Sequence, residues 1–510
     1  MSKDKTPIIL AFSGGLDTSF CVPWLRETYG RDVVTATVDT GGIDSAAAER
    51  LEERAYALGA VEHVLIDARQ DFFDTVIRYL IAGNVLRGNA YPLCVGSERG
   101  LQASRLAAIA TDRLGSEYYS IRVRNMETGE EYPETILAMV GPHCTALPEE
   151  SMRACNALDF VARGEFDYTL LDIAHEVPLA EVEGISWAEG QDIIHNKDRA
   201  PIQDMDSLPS VLDVYKRDLH IEKYFVGYLL HPYLSVYTGR GCPGRCTFCL
   251  WPQTIGGHDY RTRSPQTVVD EMKRAKEMFP QVKEFFFDDD TFTAKFERAE
   301  EIACGLKGLG ITWSCSTRAN VREKTLEIMK DSGLRCVMVG MESGSNKILR
   351  NINKGITTSQ ARSFMETCRR LKIVTHATFI VGLPGETKET IKQTIEYAKQ
   401  LDADTIQVSI ATPYPGTEFY RQAVQNGWLL PSDLVSRSGV QQVSLQYEDL
   451  TKQEIFDAVE DLYNKFYLRP KPVMRILRTM VKDKGICIRR LREAKEFFYF
   501  MHNRKKANRV

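Results

Sequence analysis

The pattern of apolar and polar positions divides the chain into regions of different character. The first region, residues 6 to about 115, contains the apolar runs PIILAF, DVVTATVD and VEHVLID, with the helical stretch AAAERLEERAYALGA before the third. Strands that alternate with helices in this way are typical of a parallel sheet. The sequence therefore predicts a compact α/β unit at the N-terminus.

The middle of the chain, residues 116–205, has a weaker pattern. The segment YYSIRVRNMETGEEYPE has the charges and turn residues of a hairpin or linker, whereas ILAMVG and LDFVARGE are short apolar runs on either side of the helical PEESMRAC. The prolines of PIQDMDSLP indicate a connector between domains.

From residue 233 to 411 the chain repeats one unit, a strand followed by a helix. Between the first two strands, Ser264 and Pro265 are suited to the start of a helix with an apolar stripe. Such βα repeats predict a closed or partial (β/α) barrel, whose active site lies at the carboxyl ends of the strands. The six strand segments are YLSVYT, EFFFDD, ITWSCS, RCVMVG, THATFIVG and TIQVSIA.

Composition and charge limit the class of protein. With 43% hydrophobic and 26% charged residues, and no apolar run of about 18 residues, the chain is expected to be cytoplasmic and without a spanning helix. Twelve cysteines in 510 residues are few for a disulfide scaffold, so clustered cysteines indicate metal binding or catalysis. The net charge of −4 conceals a basic tail, since residues 469–510 hold fourteen Lys or Arg and three acids.

Three cysteines follow the first barrel strand in the segment TGRGCPGRCTFCLWPQ. Cys242, Cys246 and Cys249 have the spacing C-x3-C-x2-C on a glycine-rich loop. Thiolates suit iron–sulfur clusters, and three ligands for four irons leave one iron open to another ligand. A zinc site with His258 as fourth ligand and buried core cysteines are the alternatives, but the offset of His258 matches no common zinc finger.

This motif after a first barrel strand resembles the radical S-adenosylmethionine (SAM) superfamily. The resemblance implies a [4Fe–4S] cluster on the three cysteines, with SAM chelated to the fourth iron. It also implies that an electron from the cluster cleaves SAM to a 5′-deoxyadenosyl radical. An electron donor such as flavodoxin or ferredoxin is implied as a partner.

Further positions match the same superfamily. The resemblance places Phe248 beside the adenine of SAM, Glu342 near its ribose, and the turn with Gly382 and Pro384 near the adenine. The two glycines of that turn, in FIVGLPGET, also fit an ordinary tight turn.

An acidic run ends the second barrel strand. Asp288, Asp289 and Asp290 lie where the superfamily places groups near the amine of SAM, or they act on the substrate as catalytic residues. The alternative is a solvated acidic turn.

Longer stretches resemble one branch of the superfamily, the cobalamin-type proteins of hopanoid biosynthesis. They are TGRGCPGRCTFCLWPQTIGGHDYRTRS, VKEFFFDDDTF and ATPYPGTEFY. That branch implies a lipid-linked polyol as substrate, the head group of bacteriohopanetetrol. Only the second half of its cobalamin-binding domain is recognisable, from VGPHCTALPEES to DFVARGE, and D-x-H-x-x-G is missing, so cobalamin binding stays open.

A different motif stands at the N-terminus. Ser13, Gly14, Gly15, Asp17 and Ser19 form S-G-G-x-D-x-S between a strand and a helix, where backbone N–H groups can bind phosphate. The segment resembles the ATP-pyrophosphatase loop of argininosuccinate synthase, which implies ATP and Mg²⁺ as ligands. The resemblance stops near residue 115, before the family's aspartate-binding segment, and an ordinary glycine turn is the alternative.

The sequence thus predicts an α/β protein in four parts: an ATP-pyrophosphatase-like unit (1–115), a linker with half a cobalamin-type domain (116–205), a radical SAM partial (β/α)6 barrel (206–430) and a helical basic tail (431–510). The N-terminal unit and the half domain are both expected to be parallel sheets with helices outside, so the N-terminal unit could complete the half domain by pairing sheet edges.

The expected function is radical SAM chemistry on a hopanoid polyol. The alternatives are an argininosuccinate synthase-type ligase and a non-catalytic membrane-docking fusion. The tail suits the inner membrane surface, a solvated helix or a polyanion, and nucleic acid is not an expected partner.

Overall fold

The computed structural model describes most of the chain. The described residues are 7–13, 16–41, 43–72, 123–124, 131–132, 138–155, 158–430 and 443–475. The predictions for Gly14, Gly15, the side chain of Asp17 and the tail beyond residue 475 lie outside this part.

The N-terminal unit is a three-stranded parallel sheet with helices, as the sequence predicts. Its strand order is β1–β2–β3, and every residue of the apolar β2 is buried. Asp44 begins the second helix by accepting a hydrogen bond from the Ala47 amide at 2.7 Å. The elements are β1 (Ile8–Ala11), α1 (Leu16–Tyr29), β2 (Val33–Asp39), α2 (Ser45–Ala57), β3 (Glu62–Asp67) and α3 (Arg69–Phe72).

The middle region contains a hairpin and a four-stranded mixed sheet. The hairpin pairs β4 (Val123–Arg124) antiparallel with β5 (Glu131–Tyr132), as expected. In the sheet β6–β7–β8–β9, the first pair is parallel and the other two are antiparallel. The elements are β6 (Ala138–Val140), α4 (Pro142–Ala146), α5 (Pro148–Ala154), β7 (Phe160–Ala162), α6 (Asp167–Ala174), β8 (Ile185–Glu189) and β9 (Asp192–His195).

Two details of this region differ from the sequence-based expectation. The half domain was expected to be a parallel sheet, but the antiparallel hairpin β8–β9 occupies the side of β7 away from β6. Within the described ranges, β1–β3 form a sheet of their own, so the predicted pairing of the two sheets is wrong there. Burial in the hairpin does not alternate, because Ile185 and Ser186 are buried whereas Ala188 and Glu189 are exposed. The hairpin therefore lacks the alternating pattern that predicts a half-buried strand.

Six parallel strands form the predicted partial barrel, in the order β10–β13–β14–β15–β16–β17. The strands are β10 (Tyr233–Val236), β13 (Glu284–Phe287), β14 (Trp313–Thr317), β15 (Leu334–Glu342), β16 (Val374–Val381) and β17 (Thr405–Ile410); a separate ribbon pairs β11 (Gly239–Arg240) with β12 (Arg261–Thr262). The helices are α7 (Leu212–Asp218), α8 (Pro265–Met278), α9 (Phe296–Leu306), α10 (Glu323–Asp331), α11 (Asn346–Asn351), α12 (Thr358–Arg370), α13 (Lys388–Leu401), α14 (Glu418–Gln425) and α15 (Lys452–Tyr467).

Local sequence explains why these elements form. Ser264 begins α8 by accepting from the Thr267 amide, and Pro265 occupies the first turn, as predicted. Every residue of β13 and of β14 is buried, as expected for parallel strands covered on both faces. One apolar core joins the strands to the surrounding helices, with Phe287, Phe292 and Trp313 in mutual ring contact.

Helix α15 covers the open edge of the barrel at β17. The hydroxyls of Tyr463 and Tyr467 accept hydrogen bonds from the backbone N–H groups of Val408 and Ile406, at 2.8 and 2.9 Å. An uncovered edge strand would leave these donors free to pair with another chain. No helix in the described part of the chain is long and apolar enough to cross a membrane.

Candidate functional site

The three cysteines lie on a loop held at its base by the β11–β12 ribbon. Cys242 and Cys246 are buried, and Cys249 is partly exposed. The backbone N–H of Cys242 donates to the carbonyl of Gly257 at 3.2 Å. The loop therefore brings the predicted ligands to the carboxyl end of β10, where barrel active sites lie.

Gln253 holds the loop in shape. Its side-chain N–H₂ group lies within hydrogen-bond distance of the carbonyls of Cys246, Thr247 and Cys249, at 3.2, 3.1 and 2.8 Å. Its oxygen accepts from the backbone N–H of Glu418 at 2.8 Å. One amide thus fixes the backbone at two of the three cysteines.

Two glycines leave room that a side chain would fill. Gly241 has φ +88°, and a Cβ there would overlap the carbonyl oxygen of Asp259 and lie 2.8 Å from that of Gly256. At Gly244 a Cβ would lie 3.4 Å from the sulfur of Cys242. A loop that must wrap a bulky group closely requires such positions, so the residues present fit a cluster.

The thiols lie close enough to influence one another. Burial raises the pKa of the Cys249 thiol well above its ordinary value, and Cys246, Asp290 and Cys242 raise it further. A bound metal would remove this cost by stabilising the thiolate. Within the described ranges no group of three or more Cys, His, Asp or Glu converges on a point for a single metal ion.

Basic groups surround the same loop. Lys354 Nζ contacts Glu342 Oε1 at 2.6 Å in a buried ion pair, and Glu342 has the left-handed φ of +58°. Arg318 donates to the sulfur of Cys246 at 3.7 Å and to the carbonyl of Lys354. Glu342, predicted near SAM, therefore belongs to a network that reaches the cysteines.

The three consecutive aspartates have different surroundings. Asp289 is buried, and it accepts from the amide and the hydroxyl of Thr238, both at 2.6 Å, and from the Tyr260 hydroxyl at 2.7 Å. These bonds join the segment after β13 to the residues that follow β10 and to the residue that precedes β12. Asp290 lies beside the loop, 3.5 Å from the position of a Cβ at Gly256, and Asp288 donates its backbone N–H to Val236. Their catalytic role stays a prediction.

The turn after β16 is tightly held. The backbone N–H of Gly382 (φ +91°) donates to Glu386 Oε2 at 2.6 Å, and its carbonyl accepts from the Tyr447 hydroxyl at 2.7 Å. Burial raises the pKa of Glu386 to about 7. Pro384 is buried, and its carbonyl accepts from Asn351 at 3.0 Å. The predicted adenine turn is therefore held by hydrogen bonds with Glu386, Tyr447 and Asn351.

Phe248, the predicted aromatic neighbour of the adenine, lies between Thr247 and Cys249 and packs against the barrel core. The residue is only partly buried. Its contact with SAM stays a prediction.

The half domain is joined to the base of the cysteine loop by buried charges. Arg261 Nη2 and Nη1 donate to the two carboxylate oxygens of Glu165 at 2.7 and 2.8 Å, and Nη2 also donates to the carbonyl of Gly256. Next to this pair, Arg240 contacts Asp167 at 2.6 Å. The two domains therefore share the ribbon that supports the loop.

At the N-terminus the described part of the glycine loop is limited to its flanks. Ser19 lies in the first turns of α1, is 5% exposed, and its hydroxyl has no hydrogen-bond partner within the described residues. Ser13 precedes the undescribed Gly14 and Gly15, and it is exposed. A buried unpaired hydroxyl at a helix start suits an anionic ligand.

Comparison with known proteins identifies a family match in two separate parts of the chain. Residues 236–398 match the model of the radical SAM superfamily, and residues 7–120 match the N-terminal HUP domain of argininosuccinate synthase. An uncharacterized methyltransferase of Pyrococcus horikoshii is 34% identical over 369 residues, covering 69% of this chain and 76% of that protein. The chain belongs to the radical SAM superfamily. It is an enzyme, and the expected cluster and SAM are the cofactors of that superfamily.

Other relatives extend this comparison. The cytidylyl-2-hydroxyethylphosphonate methyltransferase of Streptomyces wedmorensis is 26% identical and covers 67% of this chain and 70% of its own length. Argininosuccinate synthase of Sulfurisphaera tokodaii is 46% identical over 103 residues, but the match covers only 26% of that enzyme. The present chain thus matches only about a quarter of the length of this synthase.

Solved structures confirm the fold. The cobalamin-dependent radical enzyme OxsB aligns with a TM-score of 0.54 at 16% identity, over 98% of this chain and 76% of OxsB. The methyltransferase TsrM from Kitasatospora setae aligns with a TM-score of 0.52 at 13% identity, over 85% and 88% of the two chains. The α/β architecture predicted from the sequence is therefore confirmed.

Several residues of the site were not found from the sequence. Gln253, Arg318 and Lys354 lie 4 to 105 positions beyond Cys249 along the chain, and only the barrel brings the last two back to the loop. Gln253 lies close to the motif, in the segment CLWPQ, but belongs to no motif of its own. Arg318 follows β14, so strand-end position was the one signal available.

Proposed function

We propose that this protein is a cobalamin-type radical SAM enzyme that holds a [4Fe–4S] cluster on Cys242, Cys246 and Cys249. The observation that carries the proposal is the cysteine loop, in which two of the three cysteines are buried, the backbone is fixed and glycines leave space that suits a cluster. When bound, cluster and SAM together supply a 5′-deoxyadenosyl radical. The chain itself positions the cofactors and keeps water away from the thiols.

The half domain supports the cobalamin part of the proposal. Its strands β6 and β7 are parallel, and the helix that follows β6, α4, ends at Ala146 beside Gly416, which packs on Thr254 just beyond the cysteine loop. The solved relatives OxsB and TsrM are described as cobalamin-bound, and several relatives are named methyltransferases. We therefore propose cobalamin as a further cofactor.

For the substrate we propose a lipid-linked polyol of the hopanoid type. The support is the resemblance of the cysteine loop, the acidic strand end and ATPYPGTEFY to that branch. The names of the relatives support methyl transfer as the competing reaction. A flavodoxin- or ferredoxin-type protein is the proposed electron donor in both cases.

The test is anaerobic reconstitution with iron and sulfide, followed by assay with SAM and a low-potential reductant. We expect 5′-deoxyadenosine to form, and we expect Cys246→Ala to abolish it. Cys304→Ala is the matched control, because Cys304 is an exposed cysteine on α9. Full activity of Cys246→Ala would refute the proposal. S-adenosylhomocysteine among the products would favour methyl transfer.

A second function, nucleotide binding, is favoured by one observation in the N-terminal unit. Among the residues that the structure describes, the buried Ser19 hydroxyl has no hydrogen-bond partner, and it lies in the first turns of α1, next to the predicted loop of Ser13, Gly14, Gly15 and Asp17. We propose that this unit binds ATP with Mg²⁺. Isothermal titration should show ATP binding that is lost in Asp17→Ala, and release of pyrophosphate with citrulline and aspartate would instead indicate a ligase.

A further inference from the structure

Arg318 reaches the cysteine loop from the end of β14. One guanidinium nitrogen, Nη1, donates to the sulfur of Cys246 at 3.7 Å, while Nη2 donates to the carbonyl of Lys354. Gly244 makes this approach feasible, because a Cβ there would lie only 2.5 Å from Nη1. The guanidinium therefore occupies space that the loop leaves open beside a proposed cluster ligand.

The positive charge of Arg318 is not offset by a carboxylate in the described residues, whereas that of its basic neighbour Lys354 is. Lys354 forms a buried ion pair with Glu342 at 2.6 Å, so these two charges offset each other. The hydrogen bonds of Arg318 go to a sulfur and a backbone carbonyl, and within the described residues no carboxylate lies at ion-pair distance. Its positive charge is therefore directed at the thiolates.

Such a cation influences electron transfer by simple electrostatics. Reduction adds one negative charge to a cluster, and a nearby positive charge stabilises the more negative state. Hydrogen bonds to ligand sulfurs act in the same direction by withdrawing charge from the sulfur. Both effects raise the reduction potential.

We propose that Arg318 is a positioning residue that orients Cys246 and raises the reduction potential of the cluster. The inference rests on the proposed function, since it requires a cluster on the three cysteines. The electron comes from an external low-potential donor of the flavodoxin or ferredoxin class. The donor loses one electron, the cluster gains one, and no bond forms or breaks.

The first experiment compares Arg318→Gln with the wild-type protein in the absence of SAM. The ratio of reduced to oxidised cluster is measured by EPR at the solution potential where the wild-type ratio is one. We expect the ratio to fall about tenfold, which corresponds to ~59 mV for one electron. Arg318→Lys keeps the charge, and its ratio should stay within about threefold of wild type, on the same conversion.

The control is Arg370→Gln, which removes a half-exposed arginine paired with Glu323 on the outside of the barrel. Its ratio should equal that of the wild type. Equal ratios for Arg318→Gln and wild type would overturn the inference. An equally large fall in Arg318→Lys would do the same, because the charge would then not be the cause.

A second measurement rests on the wild-type protein, so it stays decisive even where a variant fails to assemble. Wild-type protein labelled with ¹⁵N-guanidino arginine should show a weak ¹⁵N coupling in the ENDOR spectrum of the reduced cluster, and Arg318→Lys should lack it. Without that coupling in the wild type the inference fails. A wild-type chain that binds no iron would overturn the proposed function as well, so the two failures are distinguishable.

Discussion

Glu165 and Arg261 form a buried, bidentate ion pair between the half domain and the ribbon below the cysteine loop. The two contacts measure 2.7 and 2.8 Å, and both side chains are almost fully enclosed. Removing one partner of such a pair leaves the other charge buried without compensation, which is more costly than losing an exposed pair. The pair therefore couples the half domain to the loop.

We predict that Glu165→Gln lowers the stability of this region by about 3 kcal/mol. The Gln side chain keeps the shape but leaves the Arg261 guanidinium without its counter-charge. Urea unfolding followed by tryptophan fluorescence measures the change. The control is Glu149→Gln in the exposed pair with Arg153, which should change stability by less than about 1 kcal/mol. Similar midpoints for both variants would show that the buried pair contributes little.

The histidine of β16 should make the stability of the protein fall measurably at acid pH. His376 is buried, stacks on Tyr228 with ring centroids 4.2 Å apart and is hydrogen-bonded to the Thr405 hydroxyl at 2.8 Å. Burial lowers the pKa of His376 to about 4. The folded state thus favours the neutral ring, and its stabilising effect is complete above pH 6.5 and lost as the pH falls towards 4.

We therefore predict that His376→Phe flattens the fall in thermal midpoint between pH 6.5 and 4.5 relative to wild type. The comparison at pH 7.5, where both proteins carry a neutral ring, separates this effect from the lost bond to Thr405. If the thermal midpoints of the two proteins fall in parallel as the pH is lowered, titration of His376 does not govern the loss of stability in this pH range.

The tyrosines of α15 should protect the edge strand. Tyr463→Phe leaves the Val408 amide without its acceptor, and we expect a loss of about 1–2 kcal/mol and faster hydrogen exchange at Val408. Tyr29→Phe, at an exposed tyrosine of α1, is the matched control. Unchanged exchange at Val408 in Tyr463→Phe would mean that water or another group replaces the hydroxyl.

The basic tail gives a prediction about membranes. Arg475, the last described residue, is anchored at the start of β17 by its contacts with Asp402 at 3.0 Å and the Ala403 carbonyl at 2.6 Å. Truncation after this anchor should leave SAM cleavage unchanged but abolish co-sedimentation with anionic vesicles. Neutral vesicles are the control. Equal co-sedimentation of the full-length and truncated proteins with anionic vesicles would show that the tail does not bind the membrane.

The sequence predicted the elements with strong periodicity and the ligands with a fixed spacing. Ser264 marked the start of α8 because capping is local, and C-x3-C-x2-C could be recognised because its members lie within eight residues. Arg318 escaped because its contact with Cys246 spans 72 positions and depends on how β14 lies beside the loop. The sequence does not distinguish Asp289 from the adjacent Asp288 and Asp290, and only the fold shows that it accepts hydrogen bonds from Thr238 and Tyr260.

The glycine before the first cysteine should be the most sensitive position of the loop. Gly241 combines φ +88° with a space closed by the carbonyls of Asp259 and Gly256, whereas Gly257 has φ +71° and nothing within 4 Å of a Cβ. Alanine at either site strains the backbone by about 1–3 kcal/mol. Only Gly241→Ala also forces two backbone segments apart.

We accordingly predict that Gly241→Ala assembles little cluster, while Gly257→Ala keeps most of its iron. Iron and sulfide content after anaerobic reconstitution, with the absorbance of the cluster, measures the difference. The comparison separates strain from close packing because both variants have a left-handed backbone and only one has the steric overlap. Equal iron in both variants would mean that the loop can open around Cys242, and that its tight packing is not what positions the ligands.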